Sequence, residues 1–147
     1  MVFQAKDIMD SNLLTVDEGT DALSCARQMV AARKGYAVMT RAGTAGVVGI
    51  ATEWDFLEKI VARGLDASKV RMKEIASPEL RSCAPDTPTD EIATTMADLG
   101  LRRMLVRSGD QVVGLITSRN LLAIFRQYID RLSAEIAGFQ AQARPLG

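Results

Sequence analysis

Two segments of the chain share one local pattern, and this duplication constrains the fold more than any other feature. They are GVVGIATEWDFL and DQVVGLITSRNLL. Gly49 and Gly114 align at an offset of 65 residues, and Ile8 of KDIMDSNLLTV aligns with Ile75 of KEIASPELRSC at 67, so two loop residues separate the registers. Hydrophobic period and turn residues give each unit a short strand, a helix, two strands and a second helix. In the first unit these are Leu13–Val16, Thr20–Arg33, Tyr36–Thr40, Val47–Ala51 and Glu53–Ala62. In the second, Leu80–Cys83 leads through APDTPTD to a helix near Glu91–Leu99, strands Arg103–Arg107 and Val112–Ile116, and a helix from Ser118. The loops RAGTAG and SGD read as hairpin closures.

A unit of about sixty residues buries too little apolar surface to be more than marginal alone. The expected fold is therefore α+β, two β-α-β-β-α repeats packed sheet to sheet about a pseudo-two-fold axis. The first repeat with its N-terminal lead-in takes residues 1–72, the second 73–131, and a helical tail 132–147. The link Gly64–Lys73 is short and polar, without the Pro, Gly and Ser of a flexible tether.

Charge and composition narrow the function. Eighteen Lys and Arg balance eighteen Asp and Glu, so the overall field gives no reason to seek nucleic acid or an anionic membrane. The opening MVFQAKDIMD does not read as a secretion signal and no later run approaches a membrane span, so a soluble, cytoplasmic location is expected. Without histidine the commonest general base and zinc ligand are missing, and Cys25 and Cys83 fit neither disulfide nor metal spacing. No metal site and no catalysis are expected.

The repeated segments end in Gly-x-x-Thr-x-x-Asp (Gly49 to Asp55) and Gly-x-x-Thr-x-x-Asn (Gly114 to Asn120), each where a strand turns into a helix. Gly49 and Gly114 leave the strand backbone open to a flat ligand. Thr52 and Thr117 can cap free helix amides and still present an oxygen. The Asp55 carboxylate can accept hydrogen bonds from both hydroxyls of a ribose. The competing reading is a plain capping box.

These motifs and their lead-ins resemble cystathionine-β-synthase (CBS) repeats over about Lys6 to Arg131. The resemblance implies a pair of such repeats acting as a regulatory module, with an adenine nucleotide as regulatory ligand rather than a cofactor. It also implies two clefts, each joining one repeat's ribose motif to the other's first strands. One would combine Ile50, Thr52 and Asp55 with Arg102, Arg103 and Met104. The other would combine Leu115, Thr117 and Asn120 with Leu14, Lys34, Gly35 and Tyr36. The paired guanidinium forks suit phosphate oxygens, so phosphorylated ligands are expected to prefer the first cleft. Ala37 and Leu105 replace a proline common in such repeats, Asn120 lacks aspartate's charge, and Arg81 stands where Leu14 does in the other half.

The expected ligand is AMP, ADP, ATP, an S-adenosyl compound or a dinucleotide, sensed on behalf of an effector protein. A dimerisation scaffold with degenerate clefts is the alternative, with Trp54 and Leu132–Phe139 as contact surfaces. A homodimer is expected either way. Of the tail's apolar residues Leu121, Phe125, Tyr128, Leu132, Ile136 and Phe139, the first half is expected to cover the module's own core and Leu132–Phe139 is open to a partner subunit.

Overall fold

The computed structural model of the protein describes residues 3–43, 46–78 and 81–142. Each half of the chain contributes one three-stranded sheet. In the first half β1 (Thr15–Asp17) runs parallel to β2 (Tyr36–Thr40), and β2 pairs antiparallel with β3 (Val47–Thr52). The second half repeats this order with β4 (Ser82–Cys83), β5 (Arg103–Ser108) and β6 (Gln111–Thr117). Both hairpins shift register at equivalent places, between Met39 and Thr40 and between Val106 and Arg107. The SGD turn closes β5 onto β6 with Gly109 at φ 61°. Leu80, expected to open β4, and two residues of RAGTAG lie outside the described residues.

The helices are α1 (Ala5–Ile8), α2 (Ala22–Ala32), α3 (Glu53–Phe56), α4 (Met72–Ile75), α5 (Thr89–Leu99) and α6 (Ser118–Gln142). The helix expected from Thr20 begins at Ala22, because the Asp21 side chain accepts the Ser24 amide at 2.9 Å and so fixes the cap. The single helix expected over Glu53–Ala62 instead passes from α3 into a π-helical turn, Leu57–Val61, where the Ala62 amide reaches the Leu57 carbonyl at 2.8 Å. Among the described residues, no helix is long and apolar enough to cross a membrane.

Strand alternation explains how the sheets stack. Ala37 and Met39 of β2 face α2 and α4 in one apolar cluster, whereas Tyr36 and Val38 meet Leu105 and Leu115 of the other sheet. Met104, Val106 and Ile116 face α5 in a third cluster. The sheets therefore pack face to face and each carries helices on its outer side, the α+β arrangement expected from the repeat.

The lead-ins cross over. α1 contributes Ala5 to the core of the second half, while Met72 and Ile75 of α4 enter the core of the first. Asp10 then exchanges backbone hydrogen bonds with Leu115 at 2.8 and 3.0 Å, and Ser77 with Ile50 at 2.9 Å in both directions. Separating the halves would open both cores. This crossing also corrects the reading of the motif glycines. A Cβ on Gly114 would run into the Met9 side chain, and one on Gly49 would meet the Ser77 carbonyl at 2.9 Å. The glycines make room for the crossing lead-ins, not for a flat ligand.

Of the tail residues expected to cover the core, only Leu121 is buried. Phe125 and Tyr128 are exposed because α6 leaves the body within its first two turns.

Candidate functional site

Both ribose-like motifs are realised as helix caps. At α3 the Asp55 carboxylate accepts from the Thr52 amide at 2.8 Å and the Thr52 hydroxyl at 3.2 Å. Its other oxygen faces Lys59 Nζ at 3.1 Å, and Asp55 is the one buried acidic side chain among the described residues. At α6 the Asn120 Oδ1 accepts from the Thr117 amide and hydroxyl at 2.9 and 3.0 Å, and the Asn120 amide returns a bond to Thr117 Oγ at 3.2 Å. Asn120 thus closes a full reciprocal box despite its short side chain. Both oxygens of Asp55 are engaged, whereas Asn120 keeps its NH₂ group as a donor.

Two cavities lie along the junction of the sheets. The smaller, about 160 Å³, has walls from Ile50, Met104 and Leu115, with Pro78, Arg81 and Arg103 beside them. Thr52 and Asp55 are not on its walls. The larger, about 430 Å³, brings together Lys34, Gly35, Tyr36, Thr117 and Asn120, five of the residues that the resemblance grouped. Only the larger falls within the roughly 300–1,000 Å³ of small-molecule sites.

The arginine pair departs from the expected grouping. Arg102 and Arg103 both line the larger cavity beside Thr117, and Arg103 alone also reaches the smaller one. The cause is the hairpin register: Arg103 is paired directly opposite Thr117, so the start of β5 and the start of α6 share one end of the sheet. Leu14 stands on neither wall. It packs against the first-half core, where its carbonyl accepts the Val38 amide at 2.8 Å.

Five further residues of the larger cleft escape the sequence-predicted set: Asp10, Arg33, Glu53, Ser118 and Arg119. Asp10 arrives on the crossing lead-in and binds Lys34 Nζ at 2.5 Å and the Tyr36 hydroxyl at 2.6 Å. Burial works to raise the Asp10 carboxyl's pKa, but hydrogen bonds from Lys34, Tyr36 and the Asn12 amide together hold it below the ordinary value. Burial and the bond to Asp10 push the Tyr36 hydroxyl upward. Glu53 lies where a Cβ at Gly35 would be, so glycine there lets the carboxylate fold over the β2 entrance. Arg33 ends α2 in the left-handed region at φ 54°, the conformation that Gly100 adopts at φ 64° after α5. A non-glycine residue there costs about 1–2 kcal/mol. Aligning Arg33 with Gly100 by the 67-residue offset was the available sequence signal.

The cleft is cationic. Arg33, Lys34, Arg102, Arg103 and Arg119 outnumber Asp10 and Glu53, and Lys34 is already paired. Arg103 Nε is buried with no hydrogen-bond partner among the described residues. An unsatisfied buried donor costs about 1–3 kcal/mol, more when charged, and an anionic acceptor would relieve it.

Comparison with known proteins agrees with this architecture. The family model for the CBS domain matches residues 5–62 and again 72–127. An uncharacterized protein of Methanopyrus kandleri is 26% identical over 96 residues, 65% of this chain and 49% of that protein. The chain spans about half the length of the curated relatives it matches. An uncharacterized conserved protein from Pyrococcus horikoshii superposes with a TM-score of 0.76 at 25% identity, covering 84% of this chain and 92% of that one. The CBS domain pair of protein MJ0100, solved in complex with 5′-methylthioadenosine and S-adenosyl-L-methionine, has the same fold, with a TM-score of 0.76 at 22% identity over 87% of this chain and 99% of that one. With two matched repeats, two like sheets and exchanged lead-ins, this chain belongs to the CBS domain family as a CBS domain pair.

Proposed function

We propose that this pair is a regulatory module that binds an adenosine-containing ligand in the larger cleft, between Tyr36 on one side and Thr117 and Asn120 on the other. The observation that carries this reading is the gathering of Arg33, Arg102, Arg103 and Arg119 in one cleft beside a ribose-like motif. AMP, ADP or ATP fits it best, because Arg102, Arg103 and Arg119 offer guanidinium forks to phosphate oxygens. The 5′-methylthioadenosine and S-adenosyl-L-methionine in complex with the MJ0100 pair support the adenosine part of the assignment. Phosphate preference belongs here and not to the first motif, the reverse of the ranking drawn from sequence. Ile50, Thr52, Asp55 and Met104 would form at most a secondary site, since a ribose would have to displace Lys59 from Asp55.

The proposed module works as a homodimer in the cytoplasm and passes its state to an effector protein. Ligand energy acts only through different affinities for two conformations, and the crossing lead-ins couple the cleft to both cores. Catalysis is no part of the proposal: burial raises the thiols of Cys25 and Cys83 to about 11, which holds both protonated and poorly nucleophilic at neutral pH. The scaffold reading is favoured by one feature, the exposed Trp54 beside an apolar groove that Val30, Leu57 and Val61 line.

Calorimetry with adenosine, AMP and ATP separates the two. AMP and ATP should bind about ten-fold or more tighter than adenosine, in line with charge-assisted hydrogen bonds. Arg102→Gln with Arg103→Gln should erase that margin, and Lys34→Gln should leave most of it because Asp10 already holds Lys34. Absence of heat from every compound would promote the scaffold; loss of the margin in Lys34→Gln alone would overturn the phosphate assignment.

A further inference from the structure

From Phe125 to Gln142 every residue of α6 is exposed, so about 27 Å of helix stands away from the body. Most helical stability in proteins comes from packing an amphipathic face, so a projecting helix with an apolar face is stabilised by covering it. Of the exposed large apolar residues of α6, Leu122, Phe125, Ile129, Leu132, Ile136 and Phe139 form one line, with Tyr128 beside it. Their spacing is three, four, three, four, three, which is the seam of a coiled coil and narrower than the stripe of a helix lying on its own core.

We propose that α6 pairs in parallel and in register with α6 of a second copy of this chain as a two-stranded coiled coil. The proposal rests on the homodimer reading above and names the surface that makes it. The spacing assigns Leu122, Ile129 and Ile136 to the a positions and Phe125, Leu132 and Phe139 to d. β-Branched residues at a with leucine at d favour two parallel strands, and Ile129, Leu132 and Ile136 supply that pattern at the centre of the seam. In a parallel pair the flanking g and e positions bring Tyr128 beside Ser133 and Glu135 beside Gln140 of the other helix, so no like charges meet. Six side chains, each burying on the order of 100 Å² per helix, give about 1,200 Å² for the pair, the lower edge of a stable interface. The self-match in period, side-chain branching and charge points to a second copy rather than to an unlike partner.

Sedimentation equilibrium on the full chain tests this. The wild-type chain should be a dimer at roughly micromolar concentration, a range typical of specific protein pairs. Ile129→Asp with Ile136→Asp should raise the dimer dissociation constant at least about a hundred-fold, as expected for charges placed in an apolar seam. Both positions are exposed, so the unfolding midpoint of the body, measured at matched low concentration, and its response to nucleotide should stay unchanged. Leu122→Cys and Ile136→Cys chains, each alone, should form disulfide-linked dimers under mild oxidation, with the wild-type chain as the control for Cys25 and Cys83. A monomeric wild-type chain would defeat the homodimer reading itself. A dimer that survives the double substitution would place the contact on another face, such as the groove beside Val30 and Leu57, and overturn the coiled coil alone. Cross-linking only in mixtures of the two cysteine variants would overturn the parallel arrangement.

Discussion

Gly114→Ala is the substitution that most directly weighs packing against ligand contact at the motif. A Cβ there would sit 2.8 Å from Met9 Cγ and 3.0 Å from Met9 Cβ, and closer still to the sulfur. The sulfur can swing away, but the Met9 Cβ is tied to the backbone. β6 cannot retreat, since Leu115 and Ile116 are wholly buried, so the lead-in must lift. Lifting it strains the two Asp10–Leu115 backbone hydrogen bonds of 2.8 and 3.0 Å. Overpacking costs about 1–3 kcal/mol and each lost hydrogen bond about 0.5–1.5. The chain will take the cheaper mixture, so a loss of about 2–3 kcal/mol is expected, or roughly 5–10 °C in melting midpoint for a domain of this size. Urea denaturation gives the free energy. Adding Met9→Ala should return at least about 1 kcal/mol beyond additivity, because the two side chains are in contact. Nucleotide should still bind. An alanine variant as stable as the parent that binds no nucleotide would refute this account and restore the view that the glycine faces ligand.

Asp55→Ala removes the side chain that reaches back to the Thr52 cap and should cost about 1 kcal/mol of stability, the usual value of a helix-capping interaction, while leaving AMP affinity at the larger cleft within about two-fold. Calorimetry showing a ten-fold loss would move the nucleotide to the first motif. Asp10→Asn tests the half-buried Asp10 carboxylate through pH. Its folded pKa lies below the unfolded 3.8, so its stabilisation is present above that value and disappears as pH falls through the folded one. Urea midpoints taken from about pH 5 downward should therefore fall less steeply in Asp10→Asn than in the parent. Parallel curves would show that Asp10 contributes nothing through its charge.

The amino-acid sequence by itself determined the two-fold repetition, the succession of strands and helices within each half and the caps at Thr52 and Thr117. These depend on local signals: alternation along Tyr36–Thr40 sorts its faces, and a side chain three residues after a threonine reaches back within one turn. Tertiary structure alone decided which half each lead-in joins. Ala5, Ile8, Met72 and Ile75 look equally suited to either core, and only the complete sheets select the crossed arrangement. That selection then assigned Gly49 and Gly114 to packing, carried Asp10 to Lys34 and Tyr36, and left Ser77 at the equivalent place in the smaller cavity's half. Arg102 lies apart from its expected group, in the larger cavity, for a related reason, while Arg103 lines both cavities. The SGD hairpin already pairs Arg103 with Thr117, but which residues of the other half face that pair follows from how the two sheets pack together, and no local signal carries that.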